Sequence, residues 1–66
     1  MNVSVNGDDT SVAGDATVGT MVDLLGKGRK GVAVAVNEEI VPRSRWDDTA
    51  LREHDRVEIL TASQGG

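Results

Sequence analysis

Thr17-Val18-Gly19-Thr20-Met21-Val22-Asp23-Leu24-Leu25 decides how this chain folds. Val18, Met21, Val22 and Leu25 recur at offsets of three, four and seven, which is one stripe of an α-helix. The Thr17 hydroxyl is placed to cap that helix, whose spacing predicts a run from Val18 to about Leu25. Beyond it, Gly26, Gly28 and Gly31 surround Lys27, Arg29 and Lys30. The glycines offer left-handed C-cap conformations, and the cations suit the negative end of the helix. A phosphate loop needs the reverse order of strand, glycine-rich turn and helix, so capping and turn chemistry is the reading for this cluster.

Strand signals lie on both sides. Val3 and Val5 alternate with Asn2, Ser4 and Asn6, the period of a strand with one buried face. Asn6-Gly7 tolerates positive φ and marks a hairpin, and Val12 is expected in a second short strand after Asp8-Asp9-Thr10-Ser11. After the helix, Val32-Ala33-Val34-Ala35-Val36 reads as an inner strand with valines on one face and alanines on the other. Asn37-Glu38-Glu39 turns into Ile40-Val41, and Pro42, which has no N–H to donate, confines that strand to an edge. From Arg43 to His54 the pattern is irregular, with Trp46 and Leu51 as apolar anchors. The last strand turns Val57 and Ile59 inward and Leu60 outward.

The order β-β-α-β-β-β puts one helix over one face of one mixed sheet of about five strands. This is an α+β fold with the β-grasp arrangement of ubiquitin-like proteins, in which the C-terminal strand lies centrally. Residues 1–61 form the expected domain and residues 62–66 a flexible tail. With no second helix to cover the far face, Leu60, Ala33 and Ala35 are expected to form a shallow apolar docking patch.

Composition narrows the function. A chain of 66 residues is one small domain, and without cysteine it has neither disulfides nor a thiol nucleophile. A lone His54 with scattered acids does not make a catalytic zinc site, which takes three protein ligands and a water. The formal charge of −4 disfavours nucleic acid, whose phosphates call for clustered Lys and Arg. Met1-Asn2-Val3-Ser4 lacks the features of a secretory leader, and no apolar run is long enough to span a bilayer, so a cytoplasmic location without membrane partners is expected. Trp46 is expected as a lid over one end of the core, and Arg43, Arg45 and His54 as solvated loop residues. The titratable side chains offer no set of nucleophile, base and orienter, so a catalytic residue is expected nowhere in the chain.

That leaves the terminus. Gly65-Gly66 follows closely on the strand Val57-Glu58-Ile59-Leu60-Thr61. Two final glycines occur by chance in about one chain in 200, so their position after a strand carries the argument. Glycine has no Cβ, so a narrow enzyme channel can close around the backbone and reach the last carbonyl. The Gly66 carboxylate is therefore the candidate reactive group, with Gly65 and Gln64 giving access to it.

The chain resembles the ThiS family of thiamine-biosynthesis sulfur carriers. The resemblance is carried by Val32-Ala33-Val34-Ala35-Val36-Asn37, Val41-Pro42-Arg43-Ser44, Trp46, Asp55-Arg56-Val57-Glu58-Ile59-Leu60-Thr61-Ala62 and Gln64-Gly65-Gly66. Glu39, where many relatives carry a small residue in the turn, and His54, where Gly is usual, depart from the pattern. The resemblance implies a carrier that is a substrate and not an enzyme. Its Gly66 carboxylate would be adenylated by an E1-like adenylyltransferase, ThiF, and converted to a thiocarboxylate with sulfur from a donor protein. A thiazole synthase, ThiG, would receive that sulfur for the thiazole ring of thiamine. It also implies no permanently bound cofactor, with ATP and magnesium belonging to the activating partner. The small subunit of molybdopterin synthase is the nearest rival, but that family resembles a longer, more aromatic chain with prolines before its glycines. Carriers for other thiolation reactions and a ubiquitin-like protein modifier or binding module remain as alternatives.

Overall fold

The computed structural model of the chain describes residues 1–26 and 28–62. Strands β1 (Asn2–Val5) and β2 (Asp8–Ser11) form the first hairpin. Helix α1 (Val18–Leu24) follows, then β3 (Val32–Val36) and β4 (Glu39–Val41). A 3-10 helix (Arg43–Asp48) leads into β5 (Arg56–Thr61). The five strands form one sheet in the order β2-β1-β5-β3-β4. The central β5 runs parallel to β1 and antiparallel to β3, so the sheet is mixed as expected.

Both hairpins turn in two residues. Asn6 and Gly7 have φ of 51° and 88°, and Asn37 and Glu38 have φ of 51° and 72°. Positive φ at both central positions is the pattern of a type I′ turn, whose twist matches that of the flanking strands. The tight second turn corrects one expectation: Glu39 is the first residue of β4, and the strained position is Glu38. The second departure from the family pattern also finds a backbone reason, because His54 has φ of 68°, where glycine alone is unstrained.

The first hairpin needs a second correction. β2 is the polar segment Asp8–Ser11 itself, and Val12 lies just beyond it. Val12 is buried because its N–H bonds to the Met1 carbonyl at 2.8 Å, which draws the side chain into the core past the strand's end.

The helix has seven residues, too few to persist alone, and is held by its cap and its packing. Thr17 and Thr20 form a reciprocal box: the Thr20 N–H donates to the Thr17 hydroxyl at 3.1 Å and the Thr17 N–H to the Thr20 hydroxyl at 3.2 Å. Val18, Met21 and Val22 are buried, whereas Leu25, the expected fourth member of the stripe, is 41% exposed. Leu25 is the C-cap, and Gly26 at φ 71° turns the chain away before the stripe reaches the sheet again. No helix among the described residues is long and apolar enough to cross a membrane.

The core lies between α1 and one face of the sheet, where Val3, Val5, Val34, Val57 and Ile59 meet the helix. Trp46, 1% exposed, sits in this cluster with Leu51, and its indole Nε1 donates to the Val41 carbonyl at 2.9 Å. Burial of the large ring and a partner for its one N–H hold the 3-10 helix after β4 against the core. Arg43 approaches the ring at 6.0 Å from its centroid, and Arg29, from the opposite loop, at 5.9 Å.

Candidate functional site

β5 is buried on one side and bare on the other, and the sheet register determines what the bare side carries. Ala33 pairs with Leu60 and Ala35 with Glu58 across β3 and β5, while Ile40 of β4 stands opposite Ala35. Because partners across a sheet share a face, these residues project away from the helix. Leu60 is 71% and Ile40 74% exposed, large apolar side chains left in solvent at the same place. Together with Asn6, Val34, Ala35 and Glu58 they line a shallow depression of about 270 Å³.

The expected grouping of Leu60, Ala33 and Ala35 is thus a geometric unit, although Ala35 is half-buried between its neighbours. Ile40, Glu58 and Asn6 were not anticipated there. A signal existed for Ile40: a two-residue turn at Asn37-Glu38 forces Val36 opposite Glu39, hence Ala35 opposite Ile40. For Asn6 the cue lay only in the fold, since its side-chain amide accepts from the Ile59 N–H at 2.8 Å and donates to the Ile59 carbonyl at 3.1 Å.

At its far end β5 leads to the tail. Val32 pairs with Thr61, and the Ala62 N–H donates to the Gly31 carbonyl at 2.7 Å. Ala62 is therefore tied to the sheet, one residue beyond the boundary expected at residue 61. Gln64, Gly65 and Gly66, the expected access and reaction positions, lie outside the described residues.

The remaining charged cluster is structural. Arg29 bridges Asp23 at 3.0 Å and Asp47 at 2.9 Å, joining the end of α1 to the 3-10 helix. Hydrogen bonds from its guanidinium hold both carboxyls below the usual carboxylate range, and the two carboxylates raise the Arg29 pKa in return. Gly19 explains how the bridge passes so close to the helix, since a Cβ there would collide with Asp47 Oδ1 and lie 2.8 Å from Arg29 Nη2. Among the described residues, no three His, Asp or Glu side chains gather as metal ligands would.

A five-stranded mixed sheet with a central C-terminal strand, one helix across it and an uncovered apolar patch defines a ubiquitin-like β-grasp protein. Comparison with known proteins narrows this class. The ThiS family model matches residues 3–66, and the chain belongs to that family. It is 27% identical to the sulfur carrier protein ThiS of Escherichia coli, covering all of both chains. It is 36% identical over 64 residues to that of Thermus thermophilus, covering 97% of this chain and 98% of the other. The crystal structure of a thiamine biosynthesis protein (ThiS) from Geobacter metallireducens superposes over the whole of both chains with a TM-score of 0.81 and 32% identity. A thiazole synthase of Paramagnetospirillum magneticum is 33% identical over all of this chain, which spans only 20% of that protein.

Proposed function

We propose that this chain is a sulfur carrier of thiamine biosynthesis that works through the carboxylate of Gly66. An E1-like, ThiF-like adenylyltransferase joins that carboxylate to AMP from ATP, releasing pyrophosphate, with magnesium held by that enzyme. A carboxylate is a poor electrophile, and the acyl-adenylate supplies a good leaving group. Sulfide delivered by a sulfur donor protein displaces AMP and leaves a thiocarboxylate. A thiazole synthase of the ThiG type then takes the sulfur. The thiazole synthase that contains a segment like this chain supports that last partnership, because it joins the two in one polypeptide.

The observation that carries the reading is the path of β5, which passes the exposed patch at Leu60 and leads to Ala62, whose N–H is bonded to the Gly31 carbonyl. A partner gripping the bare face by Leu60, Ala33 and Ala35 thereby takes hold of the base of residues 63–66. From Ala62 onward four residues remain, and at about 3.3 Å each they extend at most about 13 Å. That length suits an active site that lies just beside the docking surface.

Intact-mass measurement tests the reading. After incubation with ATP, magnesium, the cognate adenylyltransferase and a sulfur source, the expected mass gain is the exchange of one oxygen for one sulfur. Accumulation of lysine conjugates with no such gain would replace the carrier by a protein modifier.

A further inference from the structure

We propose that Glu58 is a specificity determinant of the docking face, and that the activating enzyme meets it with a basic side chain set inside an apolar surface. This inference rests on the sulfur-carrier reading and adds the chemistry of the partner's surface. Glu58 lines the same depression as Ala33, Ala35, Ile40 and Leu60, so a partner that covers those groups also strips water from a carboxylate. An ionised carboxylate taken out of water without a counter-charge is strongly disfavoured.

Among the described residues no cation is paired with the Glu58 carboxylate. The cation two residues away on the strand, Arg56, lines a neighbouring depression with Glu58 and Glu38, and its Nη2 stands 3.4 Å from Glu38 Oε2, an exposed contact with the other carboxylate. The Asn6 amide nitrogen is committed to the Ile59 carbonyl at 3.1 Å. Among the described residues Glu58 has neither an ion pair nor a side-chain hydrogen bond. A partner's cation is the counter-charge that this reading requires. A second copy of this chain is a poor occupant for the same reason, since patch against patch would bring two Glu58 carboxylates together in a molecule already carrying −4. An apolar surface bearing Lys or Arg, on the enzyme that binds the tail, fits both the patch and the carboxylate.

Pyrophosphate release by the cognate adenylyltransferase, measured against carrier concentration, tests this. Glu58→Lys should raise KM by about tenfold or more and Glu58→Gln by about threefold or more, with far smaller effects on kcat. Raising the salt concentration should raise KM for the parent and leave Glu58→Gln less affected. Asp15→Asn, which removes one negative charge from the loop before α1, should leave KM unchanged, separating a local pairing from net charge. Thermal melting confirms that each variant is folded, and Glu58→Gln, nearly isosteric, decides the matter if the lysine variant is not. If the parent is adenylated with the same KM as both Glu58 variants, the inference is overturned while the carrier reading stands. If the parent is never adenylated, both fall. Concentration-dependent dimers of the parent that Leu60→Ser abolishes would also overturn it, in favour of self-association.

Discussion

The Asn6 side chain pairs with the backbone of Ile59 in both directions, as a peptide group would. Regular pairing of β1 with β5 stops at Val5 opposite Val57, where the chain must leave the sheet for its turn. The Asn6 N–H still donates to the Val57 carbonyl at 2.9 Å, and the amide then extends the ladder to Ile59. Asn37 does the same from the other hairpin: its N–H donates to the Arg56 carbonyl at 2.7 Å and its Oδ1 accepts from the Arg56 N–H at 2.9 Å. Two turn asparagines thus hold the central strand from opposite sides. Asn6→Gly keeps the turn's positive φ without strain and deletes the amide, leaving the Ile59 N–H and carbonyl unpaired. A loss of about 1–3 kcal/mol is expected in urea denaturation, with faster hydrogen exchange at the Ile59 amide. Unchanged stability would show that water replaces the side chain at no cost.

Glu38 and His54 hold left-handed conformations that cost a residue with a Cβ about 1–2 kcal/mol. Glycine removes that strain and adds unfolded-state entropy, a smaller opposing effect. Glu38→Gly also loses the exposed contact with Arg56, worth only tenths of a kcal/mol. Each variant is expected to raise the denaturation midpoint, by a gain of about 0.5–1 kcal/mol. A lower midpoint for His54→Gly would mean that its side chain contributes more than its backbone costs.

The central place of β5 followed from the β-grasp arrangement that the element order matches, and the inward Val57 and Ile59 could be read from alternation, because that strand has one face in the core and one in solvent. β2 could not. Asp8–Ser11 is an edge strand with little to bury, and the apolar residue that drew attention, Val12, lies past its end. Leu25 misled for a related reason: periodicity states which way a side chain would point if the helix continued, and Gly26 ends it. On the bare face Leu60 and the alanines were readable from the period of two. Glu58, two residues before Leu60, falls on that face by the same period, and the register sets it beside Ala35.

Arg29 makes stability depend on acid. Asp23 and Asp47 have folded-state pKa values below their unfolded ones, because hydrogen bonds from Arg29 favour their charged forms. Their contribution is present above the unfolded carboxylate pKa of about 3.9 and is lost as pH falls through the lower folded values. Asp23→Asn should therefore flatten the fall of melting temperature below about pH 4 relative to the parent. Gly19→Ala should do the same by displacing the Asp47 carboxylate, while the better helix propensity of alanine offsets the lost ion pair near neutral pH. Equal acid sensitivity in parent and both variants would assign it to other groups.

Trp46 is the only aromatic residue and is 1% exposed, so its emission should shift to longer wavelength on unfolding. Trp46→Phe removes the donor to the Val41 carbonyl and part of the ring volume, a loss of about 1–3 kcal/mol. Trp46→Ala removes about 3–5 kcal/mol, comparable to the whole stability that a domain of this size obtains from its core, and should be unfolded by circular dichroism at 25 °C in water. A cooperative melt for the alanine variant would show that the helix and sheet close without the ring.

Gly65→Val tests where the chemistry lies. Among the described residues the last whose backbone is tied to the sheet is Ala62, through the Gly31 carbonyl, so a change three residues further on leaves every described contact in place. The melting temperature should match the parent's. A β-branched side chain restricts φ and ψ and adds bulk where a close-fitting channel must pass the backbone, so adenylation should fall below detection in the pyrophosphate assay. The two readouts separate the functions of the chain's parts, with stability following the strands and reactivity following the tail. Turnover equal to the parent's would mean that the activating enzyme does not enclose residue 65.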